Sequence, residues 1–137
     1  MVVLSGCLKG EIPSLLQKGR FDEARQVCLF YQDLYKDDFY LEVQDTGLEE
    51  QKEVNQALVQ LSRELSIPLV ATNDVHYLYR KDARTQDVLL CIQTGKTLKD
   101  TDRLKFASSE FYFRSPEEMG KVFSDLPEAI SNSRAIS

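Results

Sequence analysis

Apolar residues follow two rhythms along this chain: short continuous or alternating runs, and longer stretches where they return every three or four positions. The first rhythm predicts strands and the second amphipathic helices. Met1-Val-Val-Leu4, stopped by Ser5 and Gly6, predicts a strand buried on both faces. Ile12, Leu15 and Leu16 predict a short helix over residues 10 to 18, with Pro13 early enough to sit in a first turn and Gly19 at its end. Phe21, Ala24, Val27, Cys28, Tyr31 and Leu34 predict a second helix from 21 to 35, broken by Asp37 and Asp38. Residues 39 to 44 alternate and are rich in aromatic and β-branched types, which predicts a strand ended by Asp45-Thr-Gly47. Val54, Ala57, Leu58, Leu61 and Leu65 make one stripe over residues 48 to 65, the clearest helix of the sequence. Pro68 to Thr72 then reads as a third buried strand before the turn Asn73-Asp74.

The order so far is β-α-α-β-α-β, which implies parallel strands joined by right-handed crossovers, in an open sheet or an arc of a β/α barrel. Three strands cannot close a barrel. Farther on, Ala83, Val88, Leu89 and Ile92 predict a helix over 81 to 93, followed by a loop through Thr94-Gly-Lys96 and the charged run 99 to 103. Residues 111 to 114 predict a short fourth strand or extended segment. Ser115-Pro-Glu-Glu118 is a strong helix start, and Asp125-Leu-Pro-Glu128 repeats it for a last helix to about Ile136. The expected fold is therefore α/β, a partial β/α barrel followed by a mainly helical C-terminal segment.

Composition narrows the possible functions. With 42% hydrophobic residues among 137, the chain can bury a core. Its 17 basic against 22 acidic residues give a net charge of -5, which repels a phosphate backbone and argues against a self-sufficient DNA-binding module. Cys7, Cys28 and Cys91 are an odd number at unrelated spacings, which describes no disulfide framework and suits a reducing cytoplasm. The longest apolar runs are strand-length, so no membrane insertion is expected.

In parallel β/α folds chemistry gathers where strands end. Here those ends are Ser5-Gly-Cys7, Gln44-Asp45 and Asn73-Asp-Val-His76. Thiolate, carboxylate and neutral imidazole are all ligands for zinc or related ions, and Asp74 and His76, one residue apart in an extended segment, would point to the same side. A lone histidine after a strand is more often a hydrogen-bonded loop residue, and a lone cysteine more often a small buried hydrophobe. Placement at matching strand ends strengthens the metal reading for Cys7, Asp74 and His76. Cys28 and Cys91 read as packing residues. Thr94-Gly-Lys96 lacks the spacing of a phosphate loop, and no nucleophile-histidine-acid set can be assembled around one histidine.

Leu4-Ser-Gly-Cys-Leu-Lys-Gly-Glu11, Phe39-Tyr-Leu-Glu-Val-Gln44, Ile67 through Tyr77, and Asp87 through Lys96 stand in an order that resembles the alpha subunit of bacterial DNA polymerase III. Phe111-Tyr-Phe, Ser115 to Met119 and Asp125 to Ala129 continue the likeness. The resemblance implies a polymerase-and-histidinol-phosphatase (PHP) type barrel arc over residues 1-80 and a helical connection toward the polymerase core over 81-137. It also implies that Cys7, Asp74 and His76 are late ligands of a divalent-metal cluster: zinc, or manganese or magnesium. The family's early ligands lie upstream of residue 1, and its polymerase aspartates, served by magnesium, lie downstream of residue 137. On this reading the parent enzyme synthesises DNA in the cytoplasm, and the fragment alone is inactive. Implied partners are DNA through the parent, other replicase subunits and the proofreading exonuclease. The alternative is a noncatalytic scaffold or module that docks that exonuclease.

An arc of three strands also leaves open edges and an apolar inner face, lined by Val2 to Leu4, Phe39 to Val43 and Leu69 to Ala71. Self-association, coverage by a segment such as Phe106 to Phe113, or coverage by the rest of the polymerase is expected.

Overall fold

The three short runs are parallel strands lying side by side in chain order, β1 (Val3–Leu4), β2 (Phe39–Gln44) and β3 (Leu69–Thr72). They are seen in a computed structural model that describes residues 1–137. Between β1 and β2 run α1 (Glu11–Gln17) and α2 (Phe21–Tyr35), and α3 (Glu49–Leu65) joins β2 to β3. The C-terminal part holds α4 (Ala83–Thr94), α5 (Pro116–Val122) and α6 (Pro127–Ile136).

Register decides which side chains meet the helices. Leu41 pairs with Leu69 and Val43 with Ala71, so these four share one face. There they bury against Ile12, Cys28, Leu58 and Leu61, all at 0 to 1% exposure. Each such fully buried aliphatic side chain contributes about 1.5–3 kcal/mol of transfer free energy. The stripe read on α3 is thus the wall of the core. Ser66 ends α3 with a left-handed backbone (φ 56°), and Ile67 N–H bonds to the Ser62 carbonyl, which starts the chain into β3.

Four expectations need correction or narrowing. The first strand is two residues long and partly exposed, with Val2 41% and Leu4 36% accessible, because it lies at the sheet edge beside a single neighbour. The opposite face of the sheet is not an apolar wall, since alternation along β2 turns Tyr40, Glu42 and Gln44 that way while Phe39, Leu41 and Val43 face the helices. Residues 111 to 114 are the extended segment of the two alternatives rather than a fourth strand, joined to Tyr77 by one parallel bridge at Tyr112. On α4 it is Leu90 and Cys91 that are buried, while Leu89 (52% exposed) and Ile92 (71%) face out. Periodicity shows that a helix has an apolar face, not that anything meets it.

The outer edge of β3 is covered from within the chain. Ala129 of α6 and Phe123 join the core cluster of Leu69 and Ala71, and Asn132 Nδ2 donates to the Leu69 carbonyl at 2.8 Å. Phe106 to Phe113 instead lies across the C-terminal ends of the strands.

Candidate metal centre

Each strand end is shaped by a different local device. After β1 the Ser5 N–H still donates to the Tyr40 carbonyl (3.1 Å), but the chain then turns away at Gly6 (φ 81°). Ser5 Oγ accepts the Glu42 N–H at 2.8 Å, and the Gly6 N–H donates to Glu42 Oε2 at 3.1 Å. The turn carrying Cys7 closes through Gly10 N–H to the Cys7 carbonyl at 2.7 Å. A Cβ at position 10 would lie 2.4 Å from the Ser5 carbonyl oxygen, so the turn requires glycine there.

At the end of β2 the edge left by β1 is completed by α3. The Asn55 carboxamide accepts the Gln44 N–H at 3.4 Å and donates to the Gln44 carbonyl at 2.7 Å. Asp45 Oδ1 accepts the Gly47 N–H at 3.0 Å, closing the turn into the helix.

Past β3, Asn73 Nδ2 donates to the Tyr112 carbonyl at 2.6 Å, and Asp74 takes a left-handed backbone (φ 37°). His76 Nδ1 lies 2.7 Å from the Asp74 carbonyl and 3.9 Å from its carboxylate. With Nδ1 protonated toward that carbonyl, Nε2 is left as the free lone pair, the usual arrangement of a ligating histidine. Phe106 and Phe111 flank the ring at centroid distances of 4.7 and 5.5 Å.

The three ends open on one cleft of about 270 Å³, lined by Cys7, Asp74 and His76 together with Gln44, Thr46 and Gln51. The sequence-predicted trio therefore shares a cavity. It is not a closed coordination sphere, since no three His, Cys, Asp or Glu side chains stand close enough together to hold an ion as they are. Donor chemistry fits a divalent metal, and so does the tautomer set on His76. The number of donors within reach falls short of the four of a closed site.

Sequence reasoning named Phe106 to Phe113 as a covering segment but missed its contacts over the cleft. Ser108 Oγ bonds to the Thr46 carbonyl, and Arg114 Nη1 donates to the Asp45 carbonyl at 2.9 Å. The Arg114 side chain, 3% exposed, also pairs with Glu110 at 2.8 Å, and Glu110 is shared with Arg80 at 2.6 Å. Tyr112 O–H donates to Glu118, whose carboxylate closes a capping box with Ser115 at the start of α5. The advance signals were that box and the extended, apolar character of residues 111 to 113. Contacts to Asp45 and His76 from residues tens of positions later leave no local pattern.

The PHP domain family matches residues 1–46, ending just past β2. A DNA polymerase III subunit alpha of Borreliella burgdorferi is 46% identical over 132 residues, which is 96% of this chain and 12% of the relative. The same-named proteins of Treponema pallidum (46% over 133 residues, 96% of this chain, 11% of the relative) and Helicobacter pylori (38% over 146 residues, 99% and 12%) align similarly. The chain thus spans at most 12% of the length of these curated relatives. No helix is long and apolar enough to cross a membrane.

Proposed function

Because the chain belongs, as a segment, to the DNA polymerase III alpha-subunit family, we propose that it is the stretch where the PHP domain (residues 1-80) passes into a helical connection (81-137). The parent enzyme carries out template-directed DNA synthesis with magnesium in the cytoplasm, on DNA and beside other replicase subunits. This segment contributes part of a divalent-metal site, with Cys7, Asp74 and His76 as ligands. The observation that carries this reading is the single cleft shared by the ends of the strands.

A divalent metal, zinc or manganese or magnesium, would there polarise a phosphoester and acidify water. The chain's own residues do the rest. The Asp74 carbonyl holds the His76 proton on Nδ1, keeping Nε2 available. Phe106 and Phe111 wall the imidazole on two sides and restrict water there. Lys9, exposed at the mouth, offers a cation to an anionic ester.

Metal content after dialysis against zinc or manganese, in this chain and in Cys7→Ser and His76→Ala, tests the reading. Bound metal lost in both variants supports it, and equal content in all three refutes it. The 137-residue chain alone is expected neither to extend a primer nor to degrade DNA. Nuclease activity that copurifies and vanishes with His76→Ala would contradict that.

The exposed apolar residues of α4, Leu89 and Ile92, favour a second role, a docking face for the proofreading exonuclease. Titration calorimetry with that separately purified subunit, against an Ile92→Asp variant, distinguishes the two.

A further inference from the structure

Three polar side chains in the cleft are at least nine-tenths buried, Gln44 and Thr46 at 4% and Gln51 at 3% exposure. Each leaves one buried oxygen without a partner: Gln44 Oε1, Thr46 Oγ1 and Gln51 Oε1. Neither amide can turn round to escape this. Asn55 is oriented by the Gln44 peptide, which takes its Nδ2 at the carbonyl and its Oδ1 at the N–H. Gln51 Nε2 must then face Asn55 Oδ1, as it does at 3.0 Å. Gln44 Nε2 donates to Glu42 Oε1 at 3.0 Å and to Thr72 Oγ1 at 3.1 Å, while the Thr72 hydroxyl proton goes to Glu42. A flipped Gln44 would set its oxygen against a carboxylate. Both carboxamide oxygens are therefore fixed as acceptors, and buried acceptors without donors are strongly unfavourable.

Acceptors in a cleft that also holds Asp74 call for a donor or a cation. We propose that Gln44, Thr46 and Gln51 form an acceptor floor that receives the water shell of a divalent cation held in this cleft. The inference rests on the metal reading above. Magnesium and manganese keep several waters when protein-bound, and the ion's charge makes those waters strong donors. Two carboxamide oxygens accept from such waters, and the Thr46 hydroxyl can give or take the third bond. The three residues are thus positioning groups for the ion rather than ligands to it.

The experiment titrates manganese alone into the 137-residue chain, reading free ion by electron paramagnetic resonance and bound waters by proton relaxation. The variants are Thr46→Val, Thr46→Ser and Gln51→Met, each melted without metal. Thr46→Val and Gln51→Met should weaken manganese about tenfold or more, and Thr46→Ser should bind like the parent. Thr46→Val should melt no lower than the parent without metal, because it removes a hydroxyl that then has no partner. Manganese binding by the parent and equally by Thr46→Val and Gln51→Met would overturn the acceptor floor while leaving the metal reading intact. A lower metal-free melting temperature for Thr46→Val with unchanged manganese affinity would mean a structural water only, and would also overturn it. No manganese binding by the parent would remove both.

Discussion

His76 stands edge-on to Phe111, their ring centroids 5.5 Å apart and their planes at 86°, and the His76 N–H donates to the Phe111 carbonyl at 2.8 Å. One residue thus fixes both the backbone and the ring of the only histidine in the chain. Phe106 backs Phe111 at 4.5 Å and touches the imidazole as well. Phe111→Ala should cost about 3–5 kcal/mol in urea unfolding, the usual range for a buried ring. In protein that remains folded it should also weaken metal uptake, whereas Phe30→Ala, 63% exposed on α2, should do neither.

The cysteines should differ sharply in reactivity. Cys28 is fully buried, and burial pushes its thiol up to about 12, so at pH 8 it holds almost no thiolate. Cys7 is only partly buried at the cleft. Iodoacetamide followed by peptide mapping should label Cys7 first and Cys28 only on unfolding. Saturating zinc should slow the Cys7 reaction, and an unchanged rate would exclude it as a ligand.

Arg114 ties the covering segment to the end of β2. Its guanidinium, 3% exposed, holds the Asp45 carbonyl and Glu110. Arg114→Met should destabilise the fold by about 3 kcal/mol, as expected when one partner of a buried pair is removed. Glu110→Gln should cost less, because Arg114 keeps the Asp45 carbonyl. Urea midpoints at constant slope would rank the two.

Glu118 sits below the ordinary carboxyl range because it accepts hydrogen bonds from the Ser115 N–H and the Tyr112 hydroxyl. A folded-state value below the unfolded one stabilises above the unfolded value of 4.5 and is lost as pH falls through the lower folded value. Melting temperature should therefore fall on acidification below about pH 4.5. In Glu118→Gln the fall should be shallower, although Asp87, lowered by Arg103, keeps part of the acid dependence.

Much of the frame was legible beforehand. The parallel strands, the α3 stripe and the placement of Cys7, Asp74 and His76 just past strand ends followed from periodicity and from the rules of parallel sheets. The polar face of β2 is also readable, since Glu42 and Gln44 alternate with Leu41 and Val43 and break up the apolar wall expected of that face. Phe111 against His76 and Arg114 against Asp45 were not readable, because they depend on where a loop lands after α4. Nor was the exposure of Ile92, which depends on what lies beside α4 rather than on α4 itself.

Asn55 offers Gln44 the same donor and acceptor that a peptide group would, so β2 ends beside an imitation strand carried on a helix. Hydrogen bonding along that lane is satisfied while its bulk is not, and the cleft is the difference. The device also acts as a ruler. One residue more or fewer inside α3, between Gln51 and Asn55, would turn the carboxamide by about 100° around the helix axis and carry it off the strand, undoing the imitation and the orientation of Gln51 together. The spacing is kept by the helix itself, from Gln51 to Asn55.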